Sequence, residues 1–193
     1  LASAERLLAQ TARLAKAHID TPQIGRTHGI HAEPITFGFK VAGWHAELHR
    51  NVERLRRIEH DVAVGKVSGA VGIHAITSPD LERRVCELLG LRPDEASTQI
   101  VARDRHAAFL NALALLGAGL ERIATELRNL QRTEILEVQE SFAQGQTGSS
   151  AMPHKRNPWN SETVCGLARL LRANAHAMLE SVATWHERDL TNS

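Results

Sequence analysis

Apolar positions recur every three or four residues through most of the chain, the spacing of helices that bury one face. From Leu1 to about Ile19 the frame is held by Leu7, Leu8 and Leu14. Pro22, Gly25, Gly29 and Pro34 then interrupt it between Asp20 and Thr36. A second long helix is predicted after that break. Val41, Trp44, Leu48, Leu55, Ile58 and Val62 form its stripe, with Asn51 at the one polar step. Gly65 to Gly72 reads as a loop, Ser78-Pro79-Asp80 as a helix start, and Leu81 to Leu89 as a short helix closed by Gly90. The clearest seam is Phe109, Leu113, Leu116, Leu120, Ile123, Leu127 and Leu130, whose spacings alternate four and three. Carried on to about Gln139, it gives a helix of roughly 35 residues and ~50 Å. A last helix is predicted from about Asn160 to Val182, with Val164, Leu167, Leu171 and Met178 inward. No segment reads as a period-2 strand. The predicted fold class is all-α, a bundle of long helices with polar loops at its ends. It forms one helical-bundle domain over residues 1–193.

Composition narrows the classes of function. Hydrophobic residues make up 42% and charged residues 23% of the 193 positions, and the net charge is +1. That balance gives no basic footprint for nucleic acid or an anionic membrane surface. No apolar run approaches the ~20 residues that span a bilayer. The two cysteines, Cys86 and Cys165, form no CxxC motif and fit a reducing, cytoplasmic setting. Eleven histidines raise the question of metal. His45-Ala46-Glu47-Leu48-His49 places its glutamate one position too late for the zinc-protease order, and no third ligand stands near, so neither a metal nor another cofactor is expected. The chain opens at Leu1 already in helical pattern and stops at Ser193 after a dense polar run; we read it as a piece of a longer polypeptide.

Three polar segments carry candidate chemistry. Gly25 to Pro34 holds His28 and His31 among glycines, where an imidazole titrating near neutrality can meet a ligand or simply bond to backbone. Gly145 to Pro158 combines glycines with Ser149, Ser150, Lys155 and Asn157, groups able to meet an anion. It lacks the spacing of a nucleotide-binding P-loop, and a long loop in a compact helical domain is more often functional than not. The third segment, Trp185 to Ser193, reads by itself equally as a charged helix end.

Together the three resemble one superfamily. Gly148 to Pro158, GSSAMPHKRNP, is similar at every fixed position to the GSSxMPxKxNP loop of the fumarase/aspartase enzymes. Within that superfamily GRTHGIHAEP, TQIVARDRH from Thr98 to His106, and WHERDLTNS resemble the adenylosuccinate lyase family. The carboxymuconate cycloisomerases are the nearest rival, since they also show MPHKRNP, but they typically lack the pair standing here as Thr27-His28. A helical scaffold with no activity is the alternative from a different class. Against it stands the presence of His28, Ser149, Lys155, Asn157 and Glu162 in one chain.

The resemblance implies β-elimination of fumarate from succinyl-purine nucleotides, leaving AMP or the aminoimidazole carboxamide nucleotide. It implies a homotetramer with active sites shared between subunits. It assigns the base to Ser149, the acid to His28, a supporting cation to Lys155, and a histidine-orienting carboxylate to Glu162. Thr27, Gln99, Ser150, Met152, Asn157, Arg188 and Ser193 match substrate-contacting positions. It further implies that N- and C-terminal domains complete the enzyme and that this segment alone is inactive or nearly so. Chemistry adds one demand: a free serine is a poor base, so Ser149 needs nearby cations or N–H groups to lower its pKa.

Overall fold

The computed structural model describes residues 1–142, 145, 148–152 and 154–191. Five helices dominate: α1 (Ala2–Ala17), α2 (Phe37–Val62), α3 (Pro79–Leu89), α4 (Asp104–Leu130) and α5 (Trp159–Glu180). Between α1 and α2 lie β1 (Pro22–Thr27) and β2 (Ile30–Thr36), an antiparallel hairpin. A two-residue parallel pair, β3 (Val64–Gly65) with β4 (Arg92–Pro93), flanks α3. The helical class agrees with the sequence pattern; the hairpin does not. Neither strand holds a buried residue, β1 being half-buried and β2 largely exposed, so no buried face imposes the alternation that marks a strand in sequence.

Contacts divide the chain into two compact units, Leu1–Val52 with Leu116–Leu170, and Glu53–Leu115 with Leu171–Ser193. In the first, Phe37, Val41 and Trp44 of α2 meet Leu130 at the end of α4, with Ala15, Ile123, Leu127, Ile135 and Val138 packed around them. Thr36 Oγ1 caps α2 by accepting Phe39 N–H at 3.1 Å, so the hairpin runs straight into the helix. Gly38 is needed there, because a Cβ would sit 2.5 Å from Ala15 O and 2.6 Å from His18 O. His45 is a satisfied core histidine, its Nδ1 within 3.2 Å of Thr11 Oγ1 and 3.1 Å of Leu8 O. In the second unit, Ser78 Oγ accepts Leu81 N–H at 3.2 Å and Gly90, at φ 68°, closes α3. Arg105 joins Asp94 at 3.0 Å and Asp61 O at 2.9 Å.

Two helix expectations need correction. The seam of α4 stops at Leu130 rather than continuing to Gln139. The chain reverses there: Leu130 O accepts Glu137 N–H at 2.9 Å, and Leu136 adopts φ 47°. Ile135 and Val138 keep helical spacing yet return to the Leu130 core from a turn. On α5 the buried positions are Ser161, Cys165, Ala168 and Ala175, while Leu167, assigned inward, is 55% exposed. By length and composition α4 is apolar enough to cross a membrane, contrary to the reading of its runs. It nevertheless carries Glu121, Arg122, Glu126 and Arg128, and it buries Ala112, Gly117, Gly119 and Ala124 as a core helix does.

Candidate active site

The hairpin presents His28. Thr27 pairs directly with Ile30, leaving only His28 and Gly29 to reverse the chain. Both have positive φ, 55° and 77°, the backbone of a type I′ turn whose twist matches that of the strands. A bulge on β2 sets Ala32 and Glu33 opposite Gly25 alone, and a Cβ on Gly25 would lie 2.9 Å from Glu33 O. Thr27 and His28 are exposed at the tip. The stem is tied down by Glu137, which accepts from both terminal nitrogens of Arg26 and from Gln23 Nε2 at 2.8 Å. Those bonds, the one from Arg26 above all, hold the Glu137 carboxyl below the ordinary glutamate value.

The glycine-serine loop folds against the start of α5. Ser149 Oγ accepts two backbone N–H bonds, from Ala151 and Met152, each at 3.3 Å. Donors aimed at a hydroxyl oxygen favour its ionised form. Asn157 Nδ2 donates to Gly148 O at 3.1 Å and closes the loop across its base. Gly148 has no room for a side chain: a Cβ would collide with Lys155 O and lie 2.9 Å from the Phe142 ring. Phe142, Gly148, Ser149, Ser150, Asn157, Trp159 and Glu162 line one cleft of about 490 Å³. A second, of about 810 Å³, shares Asn157 and Glu162 and adds Lys155, His154, Arg128, Arg132 and Arg156. Its lining sets these basic groups against the single carboxylate of Glu162, which suits a substrate carrying several negative charges. Met152 is 43% exposed and lines neither.

Ser149, Ser150, Asn157, Glu162 and Lys155 are therefore brought together. His28 and Thr27 line neither cleft, and among the described residues no hydrogen bond or ion pair joins His28 to Glu162. In the other unit, Arg188 Nη1 donates to Gln99 Oε1 at 3.3 Å, Gln99 N–H to Glu187 O at 3.3 Å, and Thr98 Oγ1 to Glu187 O at 2.8 Å. Lys66 spends its ammonium on three carbonyls, Gly69 O at 2.6 Å and Thr98 O and Gln99 O at 3.0 Å each. Asp189 orders the following turn by accepting from Thr191 Oγ1 and N and from Trp185 N; those bonds, led by Thr191, lower its pKa. Ser193 lies outside the described residues. Among the described residues no group of three or more His, Cys, Asp or Glu is placed to hold a metal ion.

Comparison with known proteins now bears on the site. Residues 1–171 match the family model described as lyase. The chain belongs to this lyase family. An adenylosuccinate lyase from Synechocystis sp. is 58% identical over 189 residues, covering 98% of this chain and 44% of the relative. One from Thermotoga maritima is 54% identical over 180 residues, covering 93% and 42%. A solved 3-carboxy-cis,cis-muconate lactonizing enzyme from Pseudomonas putida superposes with a TM-score of 0.89 at 32% identity, over 99% of this chain and 43% of its own. The chain thus spans less than half the length of the lyase relatives it matches.

Sequence reasoning missed Gln131, Glu137 and Glu140. Gln131 and Glu137 were placed in the extension of α4 and Glu140 just past its expected end, and most of their partners lie far along the chain. The only available signal was their position between a long helix and the glycine-serine loop.

Proposed function

We propose that this segment is the central helical domain of an adenylosuccinate lyase, a cytoplasmic enzyme that eliminates fumarate from adenylosuccinate and from the succinylaminoimidazole carboxamide nucleotide. The observation that carries the reading is identity of 58% along nearly the whole chain to a protein of that name. The bonding of Ser149 supports it chemically. Its oxygen collects two N–H bonds, and the neighbouring cleft gathers cations.

In this reading Ser149 removes the proton from the carbon beside a succinyl carboxylate. Two electrons move into that carboxylate, and the carbanion is held as an aci-carboxylate with two negative charges. Lys155, Asn157 and loop N–H groups stabilise that charge, the largest catalytic contribution. The C–N bond then breaks, and His28 protonates the departing nitrogen. Thr27 bonds a carboxylate, Ser150 lines the pocket, and Met152 contacts substrate from the exposed face of the loop. Gln99, Arg188 and Ser193 contact the nucleotide side of the substrate.

Glu162 orients the histidine from another copy of the chain. In support, no bond joins the two residues within one chain among the described residues. Two leucines of α5 also stay exposed, Leu167 at 55% and Leu170 at 60%. Exposed apolar side chains gain from a covering partner, and a homotetramer with shared active sites supplies one.

The test is fumarate release by the full-length protein, followed by absorbance, from adenylosuccinate and from rival substrates of the superfamily. No release from adenylosuccinate, with turnover of a carboxymuconate instead, overturns the reading. Mixing inactive His28→Ala and Glu162→Ala variants tests the sharing of sites. Recovered activity in the hybrids is the expected outcome, and none refutes it.

A further inference from the structure

Helix α5 opens behind Pro158, a residue that has no side-chain acceptor to cap the free N–H groups of the first turn. The acceptor comes instead from twenty residues earlier. Glu140 Oε1 accepts from Ser161 N at 2.8 Å and Ser161 Oγ at 2.6 Å. Its Oε2 accepts from Asn160 N at 3.2 Å and Asn160 Nδ2 at 3.1 Å. A carboxylate at this end also faces the positive pole of the helix dipole.

Glu140 is itself held. Its N–H donates to Gln131 Oε1 at 2.9 Å, and Gln131 Nε2 donates to Arg156 O at 2.9 Å. Gln131 is only 9% exposed, so its amide has little recourse to water. One bonded chain therefore links the end of α4, the closing stem of the glycine-serine loop and the first turn of α5. Asn157 lies one residue beyond Arg156, and Glu162 one beyond Ser161. Both line the cleft that holds Ser149.

We infer that Glu140 and Gln131 are positioning residues for the elimination, fixing the loop stem and the first turn of α5 so that Ser149, Asn157 and Glu162 keep their mutual geometry. Neither touches the reacting atoms in this account. The inference rests on the proposed lyase reading for its kinetic consequence, and on bonding alone for its structural one.

The experiment compares Glu140→Gln, Glu140→Ala and Gln131→Ala with the wild type in the full-length protein. Hydrogen exchange is read first. The expected result for Glu140→Ala is at least tenfold faster exchange of the amides of Asn160 and Ser161 and of the loop around Ala151 and Met152, with α2 unchanged. Unchanged exchange at these sites, or uniform acceleration throughout, overturns the inference whether or not the protein is a lyase.

Kinetics follow, with adenylosuccinate deuterated at the carbon that loses its proton. The expected outcome is kcat reduced about a hundredfold in Glu140→Ala and about tenfold in Glu140→Gln, with KM within about threefold. The isotope effect on kcat should rise as proton removal becomes slower. A variant that merely folds less well loses kcat with no change in isotope effect, and that result refutes the positioning role. A wild-type protein that releases no fumarate refutes the lyase reading and leaves the exchange result to judge the structural claim.

Discussion

Two regions that carry candidate site residues are built in opposite ways. The loop before α5 is closed by short side chains set against main chain: N–H groups on Ser149 Oγ, the Gly148 carbonyl under Asn157, and a glycine with no room for a side chain. The Gln99–Arg188 region is held chiefly by long side chains, Lys66 on three carbonyls and Arg188 on Gln99, beside one main-chain bond from Gln99 to Glu187. Short side chains leave little freedom, so the first region suits groups whose position sets a reaction barrier. Long side chains tolerate small displacements, so the second suits recognition of an extended ligand. Substitutions in the first should therefore act on kcat, and those in the second on KM.

The strongest way to break this contrast is Ser149→Ala in the full-length protein. We expect kcat to fall about a thousandfold with KM within about threefold, in steady-state assays of fumarate release. A rise in KM with kcat intact would move Ser149 into the binding class. Gly148→Ala comes next. Its Cβ has no space between Lys155 O and Phe142, so the loop must shift, and kcat should drop about a hundredfold while melting temperature falls by a few degrees.

Lys66→Met sharpens the other side. It leaves three carbonyls without their shared donor, and KM should rise roughly tenfold with kcat nearly unchanged. The smallest effect concerns Glu137. Its folded pKa is lowered, so the stabilisation it gives is present above its unfolded value, near 4.3, and is lost as pH falls through the folded value. Glu137→Gln should remove ~1 kcal/mol or less at neutral pH and flatten the stability profile in acid, by urea unfolding.

How much of this was legible beforehand depended on whether a feature repeats along the chain. The stripe of α2 was readable because Val41, Trp44 and Leu48 are truly inward, with Asn51 also buried where it was placed. Helix α3 was readable because Ser78, Pro79 and Gly90 act within one turn of its ends. The hairpin escaped notice because neither strand has a buried face and only His28-Gly29 marks it. On α5 Leu167 was wrongly placed inward, because the buried Cys165, Ala168 and Ala175 give a weak hydrophobic signal beside exposed leucines. The signature loop was found by resemblance and its cation-rich surroundings by structure. Glu140 and Gln131 were invisible, since a carboxylate and an amide say nothing about donors twenty residues away.

The two-residue turn at His28 has a consequence for timing. A connection this short contains no slack, because Thr27 and Ile30 are already paired and both torsion-bearing residues are fixed at positive φ. The imidazole can reorient only about its own two side-chain bonds, a motion of nanoseconds or less in an exposed residue. The backbone that presents this ring is therefore set as the hairpin forms. Its ordering entropy is spent when the chain folds, long before a substrate arrives.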